Sequence, residues 1–203
     1  MAKIRKVLVA TLAGLLTLPL LTSAAEAVEW WIERMSGDVQ VHDGTSWTRL
    51  TPDRALNSGD SLWTGRNGRI LIRNEQGSVL LAPRSLVKIP AQTLPSNFSA
   101  LFQTHGKVSA EVEKRRTRHF SIQTPYLAVV VKGTEFDVEI DGDETFVSVD
   151  RGLVGVVDIE SRQTVSVSAG MAVSAATTAS GMSFGQSVAA SAHNNGKAKG
   201  KDG

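Results

Sequence analysis

Cysteine is absent from all 203 residues. That removes disulfides, thiol catalysis and cysteine-ligated metals, and with them the acylated cysteine of a lipoprotein leader. Aromatic residues are scarce, at 5%, so Val, Leu and Ile must fill any core. No window of about 12 residues has the 3.6-residue periodicity of an amphipathic helix. Short helical turns fit only around Pro52 to Leu56 and Leu94 to Phe102. A lasting charge imbalance is missing too. Three of the 22 basic residues (Lys3, Arg5, Lys6) and one of the 20 acidic residues (Glu26) precede Val28, leaving 19 of each. A near-neutral chain has no electrostatic basis for nucleic-acid binding.

What is present begins with an export pattern. Lys3, Arg5 and Lys6 form a positive start, and an uncharged run extends from Val7 to Ala25. Small residues follow, with an Ala-x-Ala site ending at Ala27. This order is that of a cleaved secretory signal peptide. A retained anchor would need about 20 apolar residues, and Gly14 and Pro19 interrupt the run. The expected division is a signal peptide at 1–27, an all-β domain at 28–176 and a disordered Ala/Ser/Gly/Lys tail at 177–203. The expected location is the periplasm.

From Trp30 to about Ala175, apolar and polar residues alternate in short segments, the period-two signature of half-buried strands. Val39-Gln40-Val41, Arg69 to Arg73 and Glu135 to Ile140 are examples. Turn residues separate them, as at Asp43-Gly44, Asn67-Gly68 and Asp141-Gly142. A weak Gly-x-Val repeat at Gly37, Gly106 and Gly152 points to short strands laid down in successive coils or paired sheets.

Residues that could carry chemistry have plainer readings. His42, His105, His119 and His193 lack helical metal-ligand spacing, and no Gly-x-Ser-x-Gly elbow occurs. Glu135, Asp137 and Glu139 share the solvent face of one strand, as in a charged face that blocks sheet association. The chain is therefore read as non-enzymatic, without a metal or cofactor. The basic run Lys114-Arg115-Arg116-Thr117-Arg118 is the sharpest charge feature and fits docking to an acidic partner or anionic surface. In the pair Trp30-Trp31 an extended backbone puts one ring on each face; Trp30 is taken as the exposed one, and Trp47 and Trp63 as core plugs.

The most specific stretch runs from Phe120 to Val138: a strand ending at Thr124-Pro125, an apolar strand Leu127 to Val131, a glycine hinge at Gly133 and an alternating strand. It resembles the FecR domain, whose pattern is Thr-Pro, an apolar run, then Val-Arg/Lys-Gly-Thr-x-Phe. The matching positions are Thr124, Pro125, Lys132, Gly133, Thr134 and Phe136, with lysine at 132 where arginine is usual. Flanking matches, among them Gly37, Trp47, Gly59-Asp60 and Gly152-x-Val154, extend the resemblance over nearly all of Ser36 to Ala175.

The resemblance implies a twisted β-solenoid or β-roll, a single domain outside the inner membrane that receives a signal from an outer-membrane receptor. Well-known members also carry a cytoplasmic anti-sigma region. Six residues precede Val7 here, so the expectation is a free-standing periplasmic interaction or sensing domain, not a direct anti-sigma factor. Its partner would be another envelope protein, through Arg115, Arg116 and Trp30. The alternative is a module binding peptidoglycan or another envelope glycan.

Overall fold

A computed structural model of the chain describes residues 30–91, 95, 97–176 and 182–186. The expected leader at 1–27 and most of the expected tail at 177–203 lie outside the described residues. The described residues form sixteen strands and no helix. In chain order these begin with β1 (Trp31–Ser36), β2 (Val39–His42), β3 (Trp47–Arg49), β4 (Ser61–Thr64), β5 (Arg69–Asn74), β6 (Gly77–Leu81), β7 (Leu86–Lys88) and β8 (Ser99–Val112). They continue with β9 (Phe120–Gln123), β10 (Leu127–Val131), β11 (Glu135–Asp141), β12 (Glu144–Arg151), β13 (Leu153–Asp158), β14 (Thr164–Ser168), β15 (Met171–Ala176) and β16 (Met182–Gln186).

Period-two alternation sorts side chains as strand geometry requires. In β11, Phe136, Val138 and Ile140 are buried while Glu135 and Glu139 are exposed. Lys107 on β8 bridges the outward carboxylates, with its Nζ 2.7 Å from Asp137 and 3.9 Å from Glu139. Desolvation lowers the Lys107 pKa, but the hydrogen bond to Asp137 and the charges of Asp137, Glu139 and Asp150 together outweigh it and hold the group above its usual value.

All sixteen strands join one hydrogen-bonded network, and β8 divides it into two layers. The first half of β8 lies between β7 and β9, and its second half lies between β6 and β11. One layer is ordered β3-β2-β4-β7-β8-β9-β10-β13-β14, the other β1-β5-β6-β8-β11-β12-β15-β16. The β8–β9 pair is parallel and the other named pairs are antiparallel. Inward residues of both layers meet in a single cluster, such as Ile122, Val129 and Val156 from the first and Ile72, Val138 and Val147 from the second. Without cross-links, this burial carries the fold, at roughly 1.5–3 kcal/mol per buried aliphatic side chain.

From β9 onward, hairpins alternate between the layers: β9–β10, β11–β12, β13–β14, then β15–β16. The Gly-x-Val repeat now has a physical meaning. Gly37, Gly106 and Gly152, with φ of 71°, 75° and 93°, stand where the chain passes from one layer to the other, a conformation that favours glycine.

Four expectations are corrected. Ser99 to Phe102 opens β8 instead of forming a helical turn, and residues 52–56 contain turns and a bridge but no helix. Met182–Gln186, assigned to the tail, forms β16 against β15, and Met182 packs on the core. Neither Trp47 nor Trp63 is a core plug: Trp47 is 46% exposed, beside His42, and Trp63 is half-buried on the face of its strand opposite buried Leu62. Trp30 faces inward at 2% exposure, its ring 6.3 Å from that of Phe120, while Trp31 is the outward partner at 44%. The backbone bridge from Trp30 to Leu56 sets which ring points inward. Trp30→Ala is accordingly expected to cost about 3–5 kcal/mol, and Trp31→Ala less than about 0.5 kcal/mol. Chemical denaturation of the two variants checks this; equal losses would contradict the assigned faces.

Candidate functional site

Three layer crossings converge to build a groove of about 780 Å³. The first is the loop between β8 and β9, which contains the basic run. The second is the Lys132–Thr134 hinge between β10 and β11, and the third is Gly152 between β12 and β13. Backbone hydrogen bonds knit the first two: Arg115 N donates to Lys132 O at 2.8 Å, and Val112 N to Thr134 O at 2.9 Å. The third is held by close approach, since a Cβ on Gly152 would stand 2.8 Å from Gly133 O and from Thr134 Cγ2.

Five cations line the groove: Lys114, Arg115, Arg116, Lys132 and Arg151. Only two carboxylates, Glu111 and Glu113, join them. Arg151 is committed to Glu111 at 3.2 Å and to Glu135 at 3.8 Å. The Arg115 guanidinium donates to Glu75 O at 3.0 Å. Lys114, Arg116 and Lys132 make no ion pair among the described residues and are exposed. Leu153, 48% exposed, adds an apolar contact at the rim. A concave surface with unpaired cations attracts acidic groups and raises the rate of their encounter.

The sequence-matched motif divides between this groove and the scaffold. Lys132 and Gly133 line the groove. Thr134 is buried beside it, and Phe136 is a core residue at 1% exposure. Thr124 and Pro125 lie at the opposite end of the β9–β10 hairpin. There the Thr124 hydroxyl accepts hydrogen bonds from Leu127 N at 2.9 Å and Tyr126 N at 3.2 Å, closing the turn through Pro125. Arg115 and Arg116 belong to the groove, whereas Trp30 is in the core and contributes nothing to it. Arg151 and Leu153 escaped the sequence reading. Their signal was Arg151-Gly152, a second cation–glycine pair like Lys132-Gly133, followed by a residue whose alternation opposes buried Val154.

Among the described residues, no group of three or more His, Cys, Asp or Glu is placed to hold a metal ion. His119 is buried, with Nδ1 3.1 Å from Thr117 O.

Fold and groove together define an all-β domain with a basic groove assembled at its layer crossings. Residues 60–155 match the family described as FecR protein. The matched span contains every residue that lines the groove. The fold is also similar to two crystal structures of a candidate anti-sigma factor from Parabacteroides distasonis ATCC 8503, at 1.65 and 2.50 Å resolution. In each, the TM-score is 0.53 and the identity 16%, over 62% of this chain and 59% of the other. The chain thus spans less than two thirds of those proteins, and the likeness is one of fold. No curated protein matches the sequence.

Proposed function

We propose that this chain is a periplasmic FecR-type interaction domain that relays or tunes an envelope signal by docking an acidic segment of another envelope protein. The carrying observation is the convergence of three crossings on one groove in which Lys114, Arg116 and Lys132 have no carboxylate partner among the described residues. Residues 1–27 act as its cleaved leader, and the domain works by binding instead of catalysis. Hairpins that alternate from layer to layer support a β-roll reading, a frame that leaves crossing loops free for recognition.

In-cell crosslinking of the tagged full chain, compared with Arg116→Glu/Lys132→Glu, tests this reading. One specific envelope protein is expected to be captured by the parent and about tenfold less by the double variant, a loss typical of charge-assisted contacts. The captured protein should bind the purified parent more weakly as salt rises. Equal capture by the variant, or pelleting with peptidoglycan and no protein partner, would overturn the docking reading. N-terminal sequencing should find Val28 first; retained Met1 would sink the leader.

A further inference from the structure

A second depression lies on the outer face of the layer that holds β9 and β10, and it shares no lining residue with the basic groove. Leu101, Ile122 and Val129 take the inward positions of β8, β9 and β10, which turns Phe102, Ser121, Gln123 and Val130 outward. Phe98 and Pro90 wall the depression, whose volume is about 450 Å³. Its floor includes the small side chains of Ala100 and Ser121, which pair across β8 and β9, with Val130 of β10 beside Ser121.

Three features mark this hollow as more than a gap in surface packing. The Ser121 side chain, 3% exposed, has a hydroxyl with no hydrogen-bond partner, which is uncommon for a buried polar atom and calls for an external one. Cations flank the trough without opposing carboxylates. Lys88 lines one side, and the Arg118 guanidinium lies across Gly155, its Nη2 3.3 Å from where a Cβ would stand. Neither makes an ion pair among the described residues, and no Asp or Glu lines the depression. Finally, β8, β9 and β10 are interior strands here, each paired on both sides. A peptide would find no free backbone ladder to extend, so recognition falls to side chains alone.

Two phenyl rings, a hydroxyl, the Gln123 amide and flanking cations suit a ring that is apolar on its face, hydroxylated at its edge and negatively charged. We infer that this trough binds an acidic saccharide, a sugar ring bearing a carboxylate, with the ring against Phe98 and Phe102. Lys88 on one side and Arg118 on the other each hold a carboxylate, from different rings of the saccharide, and a sugar hydroxyl pairs with Ser121. This site is separate from the protein-docking groove and stands or falls without it.

Calorimetric titration of the full chain with tetragalacturonate, maltotetraose and a tetraglutamate peptide tests the assignment. Tetragalacturonate is expected to bind, with maltotetraose and tetraglutamate each at least about tenfold weaker. Lys88→Ala/Arg118→Ala should weaken tetragalacturonate about tenfold or more while melting at the parent's temperature, because both side chains are exposed. Arg116→Glu/Lys132→Glu should leave this binding within about twofold, as expected for sites with no shared partner. Absence of tetragalacturonate binding, equal affinity for maltotetraose or tetraglutamate, or unchanged affinity in the Lys88/Arg118 variant would each overturn the assignment.

Discussion

Gly133→Ala is expected to lower the melting temperature by on the order of 10 °C, from two costs that act together. Gly133 has φ of 141°, and a side chain held in such a region costs about 1–3 kcal/mol. Its added Cβ would also stand 2.5 Å from Lys114 Cα and 2.9 Å from Lys114 Cβ. The first of these is backbone, tied down through Arg115 N to Lys132 O, so relief requires moving the β8–β9 loop. Such overpacking adds about 1–3 kcal/mol; for a chain of this size each kcal/mol shifts the melt by about 2–4 °C. Gly142→Ala provides the comparison, because Gly142 has φ of 57° but nothing within 4 Å of its added Cβ. It should cost only about 1–2 kcal/mol. If circular-dichroism melts place the two variants together, the close approach at the hinge does not constrain the groove.

Phe136→Ala should be nearly as damaging, for a different reason. Phe136 is 1% exposed and lies between Ala110 and Val149 in the sheet, so truncation opens a cavity that neighbouring strands cannot fill. The expected loss is about 3–5 kcal/mol, while Phe136→Leu, closer in volume, should lose less than about 1.5 kcal/mol. Lys132→Ala, four residues away on an exposed side chain, should change stability by less than about 0.5 kcal/mol. Urea midpoints measure all three. A Phe136→Ala loss below about 1 kcal/mol would mean that the motif phenylalanine is not a core anchor. Within a few residues, then, the motif combines an exposed cation at the groove, a glycine for the crossing and a phenylalanine for the core.

Much of the fold was legible because it rests on local pattern. The strand bounds around Thr124-Pro125 and Gly133 agree with β9, β10 and β11, since proline and glycine act through their own backbone. The outward placement of Glu135, Asp137 and Glu139 follows from alternation with Phe136 and Val138. Met182 to Gln186 was misread because one short alternation inside an Ala/Ser-rich stretch carries little signal until β15 supplies a partner. In the groove, the basic run 114–116 was visible as a charge cluster. Arg151 and Leu153 were not, being separated from it by 35 or more residues of chain.

By itself, the sequence determined that the domain from Trp30 to Ala175 is all-β among its described residues, that aliphatic residues make its core and that disulfides play no part. These properties depend on composition and on a period of two, both read within a few residues. Only the tertiary structure decided that Trp30 rather than Trp31 faces inward, that β8 serves both layers, and that Lys132, Arg151 and the basic run share one groove. Alternation states which residues lie on the same face of a strand but not which face meets the core. That choice, and the meeting of distant crossings, is made by strand pairing across long stretches of chain, where no local preference reaches.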